Sequence, residues 1–153
     1  MSQLFDLYKK VGNANYAKAI SEIAPYFATI DTRFVDLRPG YCELILENRR
    51  EIHNHLGFIH VIAICNAAEL AAGVVTDVSI PENHHWIPVA MQTRYLAKAK
   101  SDLRVVANAE SINWQTLGNI PVTVDAFDKN NSQVFSATIE MLVREKKSQF
   151  VDD

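Results

Sequence analysis

Residues 61–75, VIAICNAAELAAGVV, decide the fold of this chain of 153 residues. Ala, Leu, Ile and Val occupy nearly every face of the helix that this run predicts, so the helix has no side suited to water. It must therefore be surrounded by other parts of the protein. Because Asn66 and Glu69 interrupt the apolar run, we expect a buried core helix rather than a membrane span.

Strand-like segments follow this helix along the chain. They are separated by short turn-like sequences and cover residues 87–98, 103–112, 120–127 and 134–143. In the last segment, apolar and polar residues alternate from Phe135 to Val143, which predicts a strand with one buried face. Short connections of this kind favour antiparallel neighbours.

Two further patterns precede the helix. Apolar residues recur at helical spacing in the first thirty residues, with a break near Gly12-Asn13, which predicts two helical pieces. Alternation on both sides of Arg38-Pro39-Gly40 then predicts a hairpin. The expected architecture is α+β, with an antiparallel sheet wrapped around one long central helix and extra helices at the N-terminus.

The length fits a single domain, residues 1–153. Within it we expect an N-terminal helical extension (1–29), a core (30–146) and a tail (147–153). A curled sheet leaves edge strands open, so pairing through a strand edge predicts a homodimer, or a dimer of dimers.

Composition narrows the class of function. The net charge is −3, which argues against nucleic acid as a partner because phosphate binding needs an excess of Lys and Arg. The first ten residues lack the pattern of a signal peptide, so we expect a cytoplasmic protein that does not bind membranes. Cys42 and Cys65 lack disulfide or metal spacing, and the five histidines form no zinc motif, so no metal site is predicted.

Glu69 is the sharpest single feature of the sequence. A carboxylate inside a helix that is otherwise buried costs several kcal/mol if it is ionised and unpaired. It must be paired, protonated or open to a pocket. One interpretation is structural, with Glu69 turned to solvent or to a basic partner such as Arg94, and the other is a reactive group.

The segment before the helix supplies a second feature. Residues 54–60, NHLGFIH, form a polar loop with one glycine that leads directly into the helix. The first amides of a helix, here around Val61, lack acceptors within the helix and carry partial positive charge. Such donors suit an oxygen that gains negative charge during acyl transfer.

Residues 54–73, NHLGFIHVIAICNAAELAAG, resemble the helix-entry segment of hotdog-fold thioesterases related to the phenylacetate-pathway enzyme. The similarity is greater to the small thioesterase-like proteins of that superfamily. In that family an Asn, a Gly, a His and an acidic residue stand in this order, and here they are Asn54, Gly57, His60 and Glu69. The resemblance implies a hotdog fold and acyl-CoA thioesterase activity.

The resemblance also implies roles for particular residues. Glu69 would act as nucleophile or as general base, and the Val61 amide would polarise the thioester carbonyl. Asn54, from across the dimer interface, would position the acyl group or water, and His60 would brace the loop. The remaining substrate contacts expected are Gly57, Asn66, Arg94 and Lys98. Coenzyme A enters as part of the substrate, and no separate cofactor is expected.

Two other functions remain open at this stage. The family commonly reads His-Gly-Gly at the helix start, whereas this chain reads His60-Val61-Ile62, and a valine there would suit a protein that binds acyl-CoA or a fatty acyl ligand without turnover. His55 stands fourteen positions before Glu69, as in hotdog acyl dehydratases. The Pro-Gly that those enzymes keep at the helix entry is missing here, which ranks dehydration below hydrolysis.

Overall fold

The computed structural model describes residues 2–148. Its helices and strands, in chain order, are α1 (Gln3–Val11), α2 (Asn13–Ile23), β1 (Thr32–Arg38), β2 (Tyr41–Leu46), α3 (Val61–Ser79), β3 (His84–Tyr95), β4 (Leu103–Asn108), β5 (Gly118–Phe127) and β6 (Gln133–Glu145). Two short 3-10 helices, Pro25–Thr29 and Arg50–Ile52, connect them. This order confirms the predicted one.

The six strands form one antiparallel sheet in the order β1-β2-β4-β5-β6-β3. Helix α3 packs against this sheet, and most of its residues from Ile64 to Val78 are buried. The structure is therefore the hotdog fold that the sequence predicted. β1 and β3 form the two edges of the sheet.

The two ends of α3 follow from its sequence. His60 is the N-cap, and its Nδ1 accepts a hydrogen bond of 3.1 Å from the Ile62 amide. The last turn closes with the Ile80 amide donating to the Thr76 carbonyl, before Pro81 prevents continuation. By length and composition alone α3 could cross a membrane, but 67% of its most apolar window is buried inside this fold.

Strand β6 confirms the predicted alternation. Phe135, Ala137, Ile139, Met141 and Val143 are all buried beneath α3 and its neighbouring strands. The residues between them are only partly buried. One face of this strand is therefore core, as the period of two requires.

The largest differences between predicted and observed strand boundaries are in β3 and β4, while β5 and β6 differ by one or two residues at their ends. β3 begins at His84 rather than at Ile87, because His84 and His85 pair with Glu145 and Arg144 of β6, a contact with no local signal. β4 ends at Asn108 rather than at the predicted Ile112. The amide of the next residue, Ala109, donates a hydrogen bond to the Gly40 carbonyl.

The N-terminal helices share one core with the rest of the domain. Tyr16 of α2 is completely buried, and its ring packs edge-on against Phe34 of β1 at 4.8 Å between centroids. Its hydroxyl donates to the Leu4 carbonyl of α1. The division into 1–29, 30–146 and 147–153 stays a prediction, and residues 149–153 of that tail lie outside the described residues.

Tyr16 tests how firmly the extension is attached. Tyr16→Ala should lower the free energy of unfolding by about 3–5 kcal/mol, because it leaves a large cavity between α1, α2 and β1. Tyr16→Phe removes only the hydroxyl and should cost about 1 kcal/mol. Urea unfolding followed by circular dichroism measures both values. A loss below about 1 kcal/mol for Tyr16→Ala would mean that the extension contributes little to the core.

Candidate functional site

Three cavities surround helix α3. The helix-start pocket, of about 470 Å³, lies between the loop that precedes α3 and the C-terminal end of β3. The Glu69 pocket, of about 270 Å³, lies between α3, the N-terminal extension and the beginning of β3. The Asn66 pocket, of about 240 Å³, lies beside the first turns of α3 and the two 3-10 helices.

Asn54 has a structural task in the loop that lines the helix-start pocket. Its Oδ1 accepts hydrogen bonds from the Leu56 and Phe58 amides, at 2.9 and 3.1 Å. This turn requires a positive φ at Gly57, where the value is 80°. Gly57 therefore shapes the loop and does not line the pocket. Because the oxygen is occupied, Asn54 has its Nδ2 donors to offer a ligand.

Val61, the first residue of α3, lines the same pocket. The Ile62 amide donates to His60 Nδ1, and the Ala63 amide donates to the His60 carbonyl. No acceptor for the Val61 amide exists within the described part of the chain. The capping bond leaves the proton of a neutral His60 ring on Nε2. His60 therefore braces the helix start, and Val61 presents a free donor.

The basic residues predicted to contact substrate lie in two separate places. Lys98 lines the helix-start pocket, with its Nζ 5.3 Å from the centre of the Phe58 ring, and Lys100 lies beside the same ring. His55 is exposed at this pocket as well. Arg94 pairs with Ser136 on the sheet face opposite α3, and it lines none of the three cavities.

Glu69 lies in the second cavity. The residue is partly buried, and every other residue that lines this pocket is apolar or glycine. Within residues 2–148 it forms no hydrogen bond or ion pair, and Arg94 does not contact it. If a ligand or a second copy of the chain covers this residue, the carboxylate will need a new partner or will favour its protonated form.

Asn66 lies one turn before Glu69, in the third cavity. Its Nδ2 donates to Thr29 Oγ1 at 3.1 Å, whereas its Oδ1 is buried and has no partner. The side chain is only 8% exposed. An orphaned acceptor at this depth favours a ligand or a water molecule that donates a hydrogen bond.

Other candidate nucleophiles and metal ligands add nothing to the site. Burial raises the pKa of the Cys42 and Cys65 thiols, so neither is poised to act as a thiolate. In residues 2–148, no three His, Cys, Asp or Glu side chains come together as they would at a metal ion.

One chain alone does not bring the predicted residues together. Val61 and Glu69 are separated by eight positions on one helix, which places them about 80° apart around its axis. Asn54, His60, Val61 and Lys98 meet in the helix-start pocket, while Glu69 lies in the other cavity. Strand β3 connects them, because Trp86 and Pro88 line the Glu69 pocket and Tyr95 lines the helix-start pocket.

The family described as a domain of unknown function, DUF4442, matches residues 12–143. The chain belongs to this family. No curated protein matches the chain. The matched region includes α3, the loop before it and all six strands of the DUF4442 fold.

Solved structures share the fold of this DUF4442 chain. A structural-genomics protein without a stated activity is 50% identical, with a TM-score of 0.86 over 94% of this chain and 97% of the other. A thioesterase family protein from Silicibacter pomeroyi is 18% identical, with a TM-score of 0.71 over 88% and 99%. The protein smu.793 from Streptococcus mutans UA159, bound to acetyl CoA, is 18% identical, with a TM-score of 0.66 over 77% and 92%.

Sequence reasoning missed three residues that shape the DUF4442 cavities. Trp86 and Phe27 line the Glu69 pocket, and Thr29 holds Asn66. A glycine inside a helix can signal a close approach by another group, and Gly73 is such a glycine. A Cβ there would lie 3.0 Å from Cη2 of Trp86. No comparable signal marks Phe27 or Thr29.

Two substitutions test the structural task of Asn54 in its loop. Asn54→Asp keeps an oxygen for the two loop amides, so its unfolding free energy should match wild type. Asn54→Ala removes that oxygen and should cost about 1–2 kcal/mol. Thermal unfolding measures both variants. Equal stability of Asn54→Ala and wild type would contradict the structural task.

Proposed function

We propose that this DUF4442 protein hydrolyses acyl-CoA thioesters at a site shared by two copies of the chain, with Glu69 as the general base. The observation that carries the proposal is Glu69 itself, a partly buried acidic residue that lines an apolar cavity and has no partner within residues 2–148. The free Val61 amide supplies the complementary donor. The thioesterase family protein from Silicibacter pomeroyi, which shares the fold, supports the same class of reaction.

The free edge of β3 supports the shared site. In an antiparallel pair of β3 strands related by a two-fold axis, the start of one strand faces the end of the other. The end that carries Tyr95 borders the helix-start pocket, and the start that carries Trp86 borders the Glu69 pocket. Such pairing puts Glu69 of one copy beside the Val61 amide of the other.

The composition of this edge favours such a partner. Exposed apolar side chains are concentrated on β3 and just beyond it, at Ile87, Val89, Met91, Tyr95 and Leu96. A long apolar edge strand is a site of aggregation unless another strand pairs with it. A homodimer buries this edge, and a dimer of dimers remains compatible with it.

The proposed chemistry needs only groups of the two chains and water. Glu69 takes a proton from water as the water oxygen attacks the thioester carbonyl, and the Val61 amide of the other copy stabilises the oxyanion that forms. The tetrahedral intermediate then collapses and breaks the carbon–sulfur bond. The thiolate of coenzyme A receives the proton from Glu69, and the acyl group leaves as a carboxylic acid.

Other residues hold the substrate in this proposal. Asn54 Nδ2 donates to the substrate, whereas the orphaned Asn66 Oδ1 lies in the separate Asn66 pocket and takes no part in holding the thioester. Lys98, with Lys100, contacts the coenzyme A phosphates, in preference to Arg94 on the far face of the sheet. Binding of acetyl CoA by smu.793 supports this class of ligand. No cofactor is required.

A non-catalytic acyl-CoA binder is the main alternative, since Val61 carries a side chain at the position where the thioesterase family that this sequence resembles commonly has glycine. Turnover separates the two functions. If the protein binds acyl-CoA tightly but releases no free thiol above the background rate, the binding function replaces hydrolysis. Hydration of an enoyl-CoA without thiol release would instead favour the dehydratase function of His55 and Glu69.

Glu69→Gln tests the base directly. The amide keeps the size of the side chain but cannot take a proton, so kcat should fall by about 10²–10⁴-fold. Binding of a non-hydrolysable acyl-CoA thioether should persist within a few-fold. Thiol release, followed with a colorimetric reagent, and calorimetry measure the two quantities.

Glu22→Gln is the matched control, because Glu22 is an exposed carboxylate on α2 that lines none of the three cavities. It should retain wild-type kcat. Wild-type turnover in Glu69→Gln would remove Glu69 from the mechanism.

Two valines on opposite sheet edges test the dimer. Val89 of β3 and Val35 of β1 each lie at a bulge in an edge strand, and both are exposed. Val89→Lys should give folded monomers with little turnover, because a lysine on the β3 edge opposes strand pairing. Val35→Lys should remain dimeric and active. Sedimentation equilibrium reports the mass, and a dimeric Val89→Lys variant would contradict the β3 interface.

A further inference from the structure

The N-terminal extension forms one wall of the Glu69 pocket. Ile20, Ile23, Ala24 and Phe27 line it from this side, and Trp86 and Pro88 of β3 line it from the other. Helix α3 supplies the floor. The cavity therefore exists because α2 and the following 3-10 helix lie across α3.

The Trp86 wall is held in place before any ligand binds. The indole Nε1 donates to Asp77 Oδ1 at 2.9 Å, which fixes the orientation of the ring. Gly73 allows the ring to lie against α3, since a Cβ at this position would be 3.0 Å from its Cη2. Asp77 and Gly73 thus set the width of the cavity beside Glu69.

The lining of this cavity selects the chemistry of its occupant. Among the described residues that line it, only Glu69 and Trp86 carry a hydrogen-bonding side-chain group, the Trp86 Nε1 is already bonded to Asp77, and none is a cation. A polar or anionic group inside it would lose its hydration without a compensating partner, and an anion would also be repelled by Glu69. An alkyl chain has no polar group to desolvate, and the removal of its surface from water favours its entry.

We propose that the Glu69 pocket takes the acyl chain of the substrate, and that the N-terminal extension thereby selects aliphatic over polar and dicarboxylic acyl groups. This inference rests on the proposed function for the position of the thioester. It adds that residues 20–27, which form one wall of the pocket, determine which acyl groups bind. Ile23 is 63% exposed at the rim, where an entering chain would cover it.

The test uses non-hydrolysable acyl-CoA thioethers from acetyl to dodecanoyl, with succinyl as the anionic comparison. Calorimetry on the full-length protein should show affinity rising by about threefold to fourfold per methylene until the cavity is filled. The succinyl analogue should bind no better than acetyl. Thiol release from the matching thioesters is measured in parallel.

Substitutions in the extension should move the chain-length optimum in opposite directions. Ala24→Leu fills the cavity and should shift the optimum to shorter chains, with at least tenfold weaker binding of the longest chain that wild type prefers. Phe27→Ala opens the cavity and should shift the optimum to longer chains. Ala28→Leu is the control, because Ala28 lies in the same segment, is exposed and does not line the pocket.

The possible outcomes separate this inference from the proposed function. Chain-length-dependent binding that Ala24→Leu shifts, without thiol release, supports the acyl pocket and overturns hydrolysis. Hydrolysis with an optimum that neither Ala24→Leu nor Phe27→Ala moves supports the enzyme and overturns the acyl pocket. Equal effects of Ala24→Leu and Ala28→Leu would also overturn it.

Discussion

Helix α3 has no side that tolerates water, and the rest of the structure follows from covering it. The sheet covers one side, through the inward faces of strands such as β6. The N-terminal extension covers another side, with Tyr16 and Ile20 buried in the same core. Burial of apolar area is the main favourable contribution to folding, so these elements form one cooperative unit rather than separable parts.

The same constraint explains why a carboxylate on this helix matters. Most positions of α3 that point inward are small or aliphatic, and Glu69 instead opens into a gap between the extension and β3. The uncovered edge of β3 runs from that gap to the pocket at the helix start. In the dimer that we propose, pairing at this edge would extend the sheet and bring the two pockets of different copies together, which is why we link dimer formation to catalysis.

Local patterns were sufficient to predict the fold. The apolar run of α3, the alternation in β6 and the turn at Pro39-Gly40 each reflect short-range physics, and all three are confirmed. The start of β3 was predicted too late, because His84 and His85 are strand residues only by virtue of their pairing with β6. Contacts of that kind depend on tertiary structure and leave no mark on a local window.

The site was less accessible to sequence reasoning. Spacing along one helix suggested that Val61 and Glu69 cooperate, but spacing does not show that the two residues face different cavities. The Asn54 and Gly57 pair had a simpler explanation, since an Asn three residues before a Gly is typical of a side-chain-stabilised turn. The walls of the Glu69 pocket come from segments that are distant in the sequence. Only Gly73 gave a sequence signal for one of them, the wall formed by Trp86.

Mixing Asn54→Asp, which lacks the Nδ2 donor and is expected to lose most of its turnover, with Glu69→Gln tests the shared site most directly. Asn54→Asp and Glu69→Gln proteins are unfolded and refolded together in equal amounts, and thiol release is measured. Random pairing makes about half of the dimers mixed. If Glu69 of one copy works with Asn54 of the other, each mixed dimer has one intact site and one site with both substitutions. About a quarter of wild-type activity should therefore return. If both residues belong to a site within one chain, every site in a mixed dimer carries a substitution. Activity no higher than that of the separate variants would then contradict the account.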